Sequence, residues 1–286
     1  VSIDHYENFP VASWLCPPRL RPAIASIYHF ARTADDLADE GDAAPDERLH
    51  SLSLFRADLD VAASGSGASI SGRWPGLFER LASTIRSQHL PTGLLFDLLS
   101  AFEQDVVKHR YANRAELLDY CSRSANPVGR LLLHLYRVDD AASLRRSDAI
   151  CTALQLINFW QDLSVDCSRD RLYVPSDDAT AHDVAIDDLL QRRDGPAVHA
   201  LVAELCAWAR ELMIEGSPLV HRVSGRAGWE LRLVVQGGLR VLDRIDDLRY
   251  ATLTQRPTLG KLDVAVMLTR AIAMRRRPAA WSQATA

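Results

Sequence analysis

The chain has no run of apolar residues long enough to span a bilayer, although 48% of its 286 residues are hydrophobic. Its opening residues show no basic stretch followed by an apolar core, so no signal peptide is expected. Paired cysteines are missing. Cys16, Cys121, Cys151, Cys167 and Cys206 are scattered, with neither a CxxC pair nor a disulfide-like framework. That pattern excludes a small disulfide-stapled scaffold and suggests a reducing, cytoplasmic compartment, each thiol serving as a small buried hydrophobe. Excess positive charge is missing too, and a net charge of -4 leaves no nucleic-acid footprint. No HExxH motif occurs. Ser64-Gly65-Ser66-Gly67-Ala68-Ser69 lacks the Lys-Ser/Thr that a P-loop needs and reads as a flexible loop.

Strand signals are nearly absent. Apolar residues instead recur at three and four along almost the whole chain, which predicts an all-α protein. Helices are expected over 20–41, 46–63, 75–87, 92–110, 114–121, 126–137, 144–166, 196–215, 226–250 and 258–276. Pro45-Asp46-Glu47 and Pro91-Thr92 suit first turns, and Asn113 can cap a helix that starts at Arg114. Residues 176–195, rich in Asp, read as a solvated loop with one short helix. No linker divides the chain, so residues 1–286 are expected to form a single domain.

Against that background stand two acidic clusters. The first is Asp35-Asp36-Leu37-Ala38-Asp39-Glu40, the second Asp162-Leu163-Ser164-Val165-Asp166. In each, two carboxylates lie four residues apart and so point the same way from a helix. At about 100° per residue, Asp35 falls roughly 20° from the stripe residue Ile24, Asp39 roughly 60° and Arg32 roughly 80°. Asn158, Asp162 and Asp166 climb one edge of the second helix at successive turns, beside Leu154 and Ile157. Asp36 points further out and is the weaker candidate. An acidic run is often just a solvated face. Two runs of equal spacing, each on the shoulder of an apolar stripe, instead suggest opposed faces that bind divalent cations and a polyanion, because carboxylates beside a packed face need neutralising. An EF-hand is excluded, since neither run alternates ligands around a central glycine.

The second cluster extends into Gln155, Asn158, Gln161-Asp162, Asp166, Arg171, Tyr173 and Pro175. This pattern resembles a signature of the squalene/phytoene synthase family. Tyr28-His29-Phe30-Ala31-Arg32-Thr33-Ala34-Asp35-Asp36-Leu37-Ala38-Asp39 is similar to the family's first signature. Tyr120-Cys121-Ser122-Arg123-Ser124-Ala125, followed by Val128-Gly129, is similar to its central one. The chain departs from the family at Asn126-Pro127, at Gln161 where many members have Arg, and at Cys151 in place of a common Gly. Asn126-Pro127, the Phe159-Trp160-Gln161-Asp162 run and the opening Asp4-to-Trp14 stretch resemble the branch that turns presqualene diphosphate and water into hydroxysqualene and diphosphate.

The resemblance implies an isoprenoid synthase fold, with helices around a central cavity. It implies Mg²⁺ held by Asp35, Asp39, Asn158, Asp162 and Asp166, a prenyl diphosphate substrate, and no NADPH. Arg32 would hold a diphosphate oxygen, or simply pair with Asp35 or Asp36. Arg171 and Tyr173 would add a further phosphate contact and its support. Tyr28 and Tyr120 would shield a carbocation, or simply pack in the core. Ala125, Asn126 and Gly129 would line the substrate pocket. Gln161, as a neutral amide, would be able to orient water. His5, His109 and His134 are candidate bases only because His titrates near neutrality. The acids alone do not separate this reaction from head-to-head prenyl condensation. A non-catalytic isoprenoid-binding protein would have no need of all four. The Arg275-Arg276-Arg277 triplet is either a solvated tail or a contact for anionic lipid at the inner membrane face.

Overall fold

The computed structural model describes residues 16–65 and 69–274. Every regular element among them is helical. The first layer comprises α1 (Arg21–Asp39), α2 (Pro45–Ser64), α3 (Leu77–Gln88) and α4 (Gly93–Val107). Next come α5 (Arg114–Ser124), α6 (Asn126–Leu135), α7 (Ala141–Gln161) and the short α8 (Leu163–Ser168), α9 (Ser176–Ala181) and α10 (Ile186–Leu190). The chain continues through α11 (Pro196–Gly216), a 3-10 turn (Ser217–His221), α12 (Gly225–Asp247) and α13 (Lys261–Ala273).

The starts follow local chemistry. Proline opens α1, α2, α6 and α11, where its missing N–H costs no hydrogen bond. Asn113 caps α5 by accepting from the Glu116 N–H at 3.0 Å, and Asp140 caps α7 by accepting from the Ser143 N–H at 2.9 Å. Ala125, at φ -119°, separates α5 from α6, and Asn126-Pro127 restarts the helix.

Two apolar clusters fill the interior. Phe30, Phe55 and Phe78 interlock at the centre of α1 to α4. Trp160, fully buried, sits in the cluster built from α5, α7, α11 and α12. Each such side chain contributes about 1.5–3 kcal/mol by leaving water. Helix α6 joins the two clusters, with Leu131 and Leu135 in one and Leu133 in the other. Helix α7 packs against α5, α6, α11 and α12, which fixes the position of its C-terminal end.

Two expectations need correction. The helix expected over 144–166 breaks at Asp162, whose backbone relaxes to φ -98°, ψ 12°. Hydrogen bonds still run through the break, from the Asp162 N–H to Asn158 and from the Asp166 N–H to Asp162. The continuous helical phase from Leu154 to Asp166 therefore ends at Asp162. Residues 176–195 hold two short helices, not one. The opening stretch before Cys16, Ser66 to Ala68 of the flexible loop, His5 and the arginine triplet lie outside the described residues. Among the described residues no helix is long and apolar enough to cross a membrane.

Candidate active site

The first acid cluster ends α1, where Glu40 turns the chain into extended geometry. Arg32, one turn earlier, lies 3.2 Å from Asp35, 2.8 Å from Asp36 and 2.5 Å from Glu40. The structure thus gives Arg32 its carboxylate partners on its own helix. Asp35 keeps 47% of its side-chain surface exposed, yet its pKa is raised to about 6. Surrounding protein is the main cause, and Asp39, Asp36 and Glu40 add to it against the pull of Arg32.

The second cluster meets the first. Arg171, in the segment after α8, sets its Nη2 2.7 Å from Asp39 Oδ1, and Arg169 sets its Nη1 3.2 Å from Asp39 Oδ2. Asp166, on α8, has its pKa raised to about 7, first by burial and then by Asp162, against Arg171 and Arg169, with Asp39 also raising it. Asp162 is gripped by the Arg256 guanidinium, which arrives from the segment between α12 and α13. Asn158 stands one turn before Asp162 in the last turn of α7. Both clusters therefore occupy one end of the helix array, stitched by arginines. Among the described residues no three carboxylate, imidazole or thiol groups converge closely enough to form a ready metal cage.

A fifth acid joins them. Asp105, on α4, has its pKa raised to about 7 by burial, and Tyr120 and Arg171 oppose that shift while Asp35 and Asp39 reinforce it. The Tyr120 hydroxyl donates to Asp105 Oδ2 at 2.8 Å, and Asp105 Oδ1 is buried with no hydrogen-bond partner among the described residues. Tyr120 is almost fully buried in an aromatic wall. Tyr173 stacks on Phe159 at 3.7 Å between ring centres, and both rings lie within 6.3 Å of the Tyr120 ring. Tyr28, half-buried on α1, meets His29 edge-on.

An apolar cavity lies among α1, α6, α7 and α12. Its walls include Ile24 of α1, Val128, Gly129 and Leu132 of α6, Ile150, Cys151 and Leu154 of α7, and Leu231 of α12. Leu154 is one turn from Asn158, whereas Ile24 is eleven residues, or roughly 16 Å, from Asp35 along α1. Gly129 permits the close packing of α6 on α7, since a Cβ there would fall 2.4 Å from Ser147 Oγ and 2.5 Å from Cys151 Sγ. Asn126 accepts a hydrogen bond from the Thr152 hydroxyl at 2.9 Å, and Ala125 is nearly buried beside it.

Gln161 departs from its expected part. Its side-chain amide donates to the Pro257 carbonyl at 2.9 Å, so it tethers the segment that carries Arg256. His134 is likewise committed, with Nε2 2.9 Å from the Gln88 carbonyl. The sequence motifs do not point to Asp105, Arg169 or Arg256. Asp105 had one signal, a lone acid four residues after the buried Ala101 on an apolar helix face. Arg256 had none, being 94 residues from Asp162 in the chain.

A helical array that joins aspartate clusters from remote segments is an isoprenoid synthase fold. The structure superposes on squalene synthase HpnC from Alicyclobacillus acidocaldarius with a TM-score of 0.78 and 36% identity, covering 86% of this chain and 90% of that one. A dehydrosqualene synthase solved with a ligand gives the same score at 21% identity, covering 91% and 89%, and supports the fold alone. Residues 4–263 match the squalene/phytoene synthase family, and the chain belongs to that family. A hydroxysqualene synthase of Sinorhizobium fredii is 35% identical over 240 residues, 84% of this chain and 78% of the relative.

Proposed function

We propose that the chain is a hydroxysqualene synthase, an enzyme that converts presqualene diphosphate and water into hydroxysqualene and diphosphate. The similarity to the Sinorhizobium protein supports the particular reaction. The observation that carries the site is the Arg171–Asp39 pair, because it joins the two acid clusters from remote parts of the chain.

In this reading the carbon–oxygen bond to diphosphate breaks and the electron pair leaves with oxygen. The cyclopropylcarbinyl cation rearranges, water bonds to the new centre, and one proton is released. The chain's own contribution begins with cations. Arg32, Arg169, Arg171 and Arg256 surround the acids, and a guanidinium fork matches phosphate oxygens. Aromatic faces of Tyr120, Phe159 and Tyr173, with Tyr28 on α1, stabilise positive charge electrostatically. The cavity takes the apolar chains and excludes water from them. Gly129 lines its α6 wall, and Asn126, at the start of α6, is tied to Thr152 of α7.

The donor set suits Mg²⁺. It consists of oxygen ligands, several carboxylates carry raised pKa values, and one buried oxygen of Asp105 is unsatisfied. Asp35, Asp39, Asn158, Asp162 and Asp166 would hold the ion. When bound, it supplies Lewis-acid stabilisation of the leaving diphosphate. The reading includes no NADPH. It places the protein in the cytoplasm as one all-α domain with peripheral contact at the inner membrane face, and the five free thiols agree with a reducing compartment.

Purified protein given presqualene diphosphate, Mg²⁺ and ¹⁸O-labelled water, without NADPH, should release an ¹⁸O-labelled carbinol. A second reading, head-to-head condensation, draws on the similarity to a protein described as squalene synthase. A C30 product from farnesyl diphosphate alone would establish that reading instead.

A further inference from the structure

The segment between α12 and α13 is a strap fastened to the second acid cluster. Thr252 and Leu253 are fully buried and anchor its beginning. Asp263, also buried, anchors its end by accepting from the Gly260 N–H at 2.6 Å and by pairing with Arg240 and Arg244 of α12. Two contacts tie the middle to the end of α7. The Gln161 side-chain amide donates to the Pro257 carbonyl at 2.9 Å. Beside it, Arg256 takes both oxygens of Asp162, Oδ1 through Nε and Oδ2 through Nη2. Pro257 has a fixed φ and keeps the residue before it out of the helical region, so the backbone that carries Arg256 is stiff as well as tethered. The Asp162 side chain is 16% exposed and that of Arg256 35%, so the guanidinium covers the acid.

A carboxylate held through both oxygens by a guanidinium fork has little charge or lone-pair capacity left for a divalent cation. The two cations therefore compete for Asp162. Arg32 differs, since it stands on the same helix as Asp35 and Asp36, and Arg169 takes a single oxygen of Asp39. We propose that Arg256 exchanges partners: its guanidinium yields Asp162 to a divalent cation and then pairs with a diphosphate oxygen. Gln161 is the positioning residue, because its bond to Pro257 keeps Arg256 within reach of both partners. An ion pair this near the surface is weak enough to give way. The exchange rests on the reading of Asp162 as a metal-holding acid, and it adds a coupling to that reading. The divalent cation frees the guanidinium for diphosphate, and diphosphate draws the guanidinium off the acid. Each ligand thus strengthens binding of the other by the same factor.

The test measures binding to the full chain, with Mn²⁺ followed through the electron paramagnetic resonance signal of the free ion. Arg256→Gln should bind Mn²⁺ about five-fold more tightly than the wild type. At saturating Mg²⁺ the same variant should bind inorganic pyrophosphate about ten-fold more weakly. A purely structural role would not move the two constants in opposite directions. Gln161→Met keeps the side-chain length, removes the donor and changes no charge. It should shift both constants the same way by a smaller factor, which separates partner exchange from the general field of a lost cation. In the Arg256→Gln background Gln161→Met should shift neither constant, because the tether acts through Arg256. If Arg256→Gln does not fold, Gln161→Met decides alone. Unchanged or weaker Mn²⁺ binding in the folded variants would overturn the exchange, and so would a full Gln161→Met effect in the double variant. With Mn²⁺ binding and turnover intact in the wild type, that result leaves the enzymatic reading standing. A wild type that binds no Mn²⁺ would overturn both.

Discussion

Burial pushes the Asp105 carboxyl to a pKa of about 7, and Tyr120 and Arg171 offset that shift only in part. Asp105→Asn should therefore fold normally but lower turnover about 10²-fold, as measured by product release at saturating substrate, if a negative group there matters to the diphosphate end. Gln161→Arg should change turnover or product, because it replaces the side-chain amide that donates a hydrogen bond to the Pro257 carbonyl and adds a cation near Arg256. Unchanged kinetics and product would show that the neutral residue is incidental. Asp35, Asp39, Asp162 and Asp166 were candidates from their spacing in the sequence, and Arg171, Tyr120 and Tyr173 from resemblance to family signatures. Asp105 and Arg256 were not, since only folding brings them to the motifs. Arg32 was legible in position, and its side chain proved to be engaged by Asp35 and Asp36 of its own helix and by Glu40 just past its end.

Among the elements, apolar periodicity predicted the long helices to within a few residues, and proline and Asn113 marked their starts. The break at Asp162 was illegible because no proline or glycine announces it. Helix α6 provides a packing test. Gly129→Ala should destabilise the protein by about 1–3 kcal/mol in urea unfolding, because the new methyl group overlaps Ser147 and Cys151. Adding Cys151→Gly should recover part of that loss. The Cys151 thiol occupies space that Gly129, with no side chain, leaves open.

For the molecule as a whole, Asp35, Asp105 and Asp166 act together. Their pKa values are raised to about 6, 7 and 7. Between the ordinary carboxylate range and about pH 7, the folded chain holds protons that the unfolded chain has released. Stability should therefore fall as pH rises through that window. Calorimetry from pH 5 to 8 should show a falling melting temperature, and Mg²⁺ should restore more of it at pH 8 than at pH 5. The all-α architecture was legible in advance because almost every element follows one periodicity. Helices α1 and α7 both finish at the acids. Each C-terminus carries a dipole equivalent to roughly half a negative charge, and the two add to the carboxylate field. These partial charges oppose the attraction that Arg32, Arg169, Arg171 and Arg256 offer a diphosphate. Capture of the diphosphate should consequently be ordered, with chelation blocking ligand uptake itself and not only turnover, an effect visible as lost equilibrium binding of an unreactive analogue.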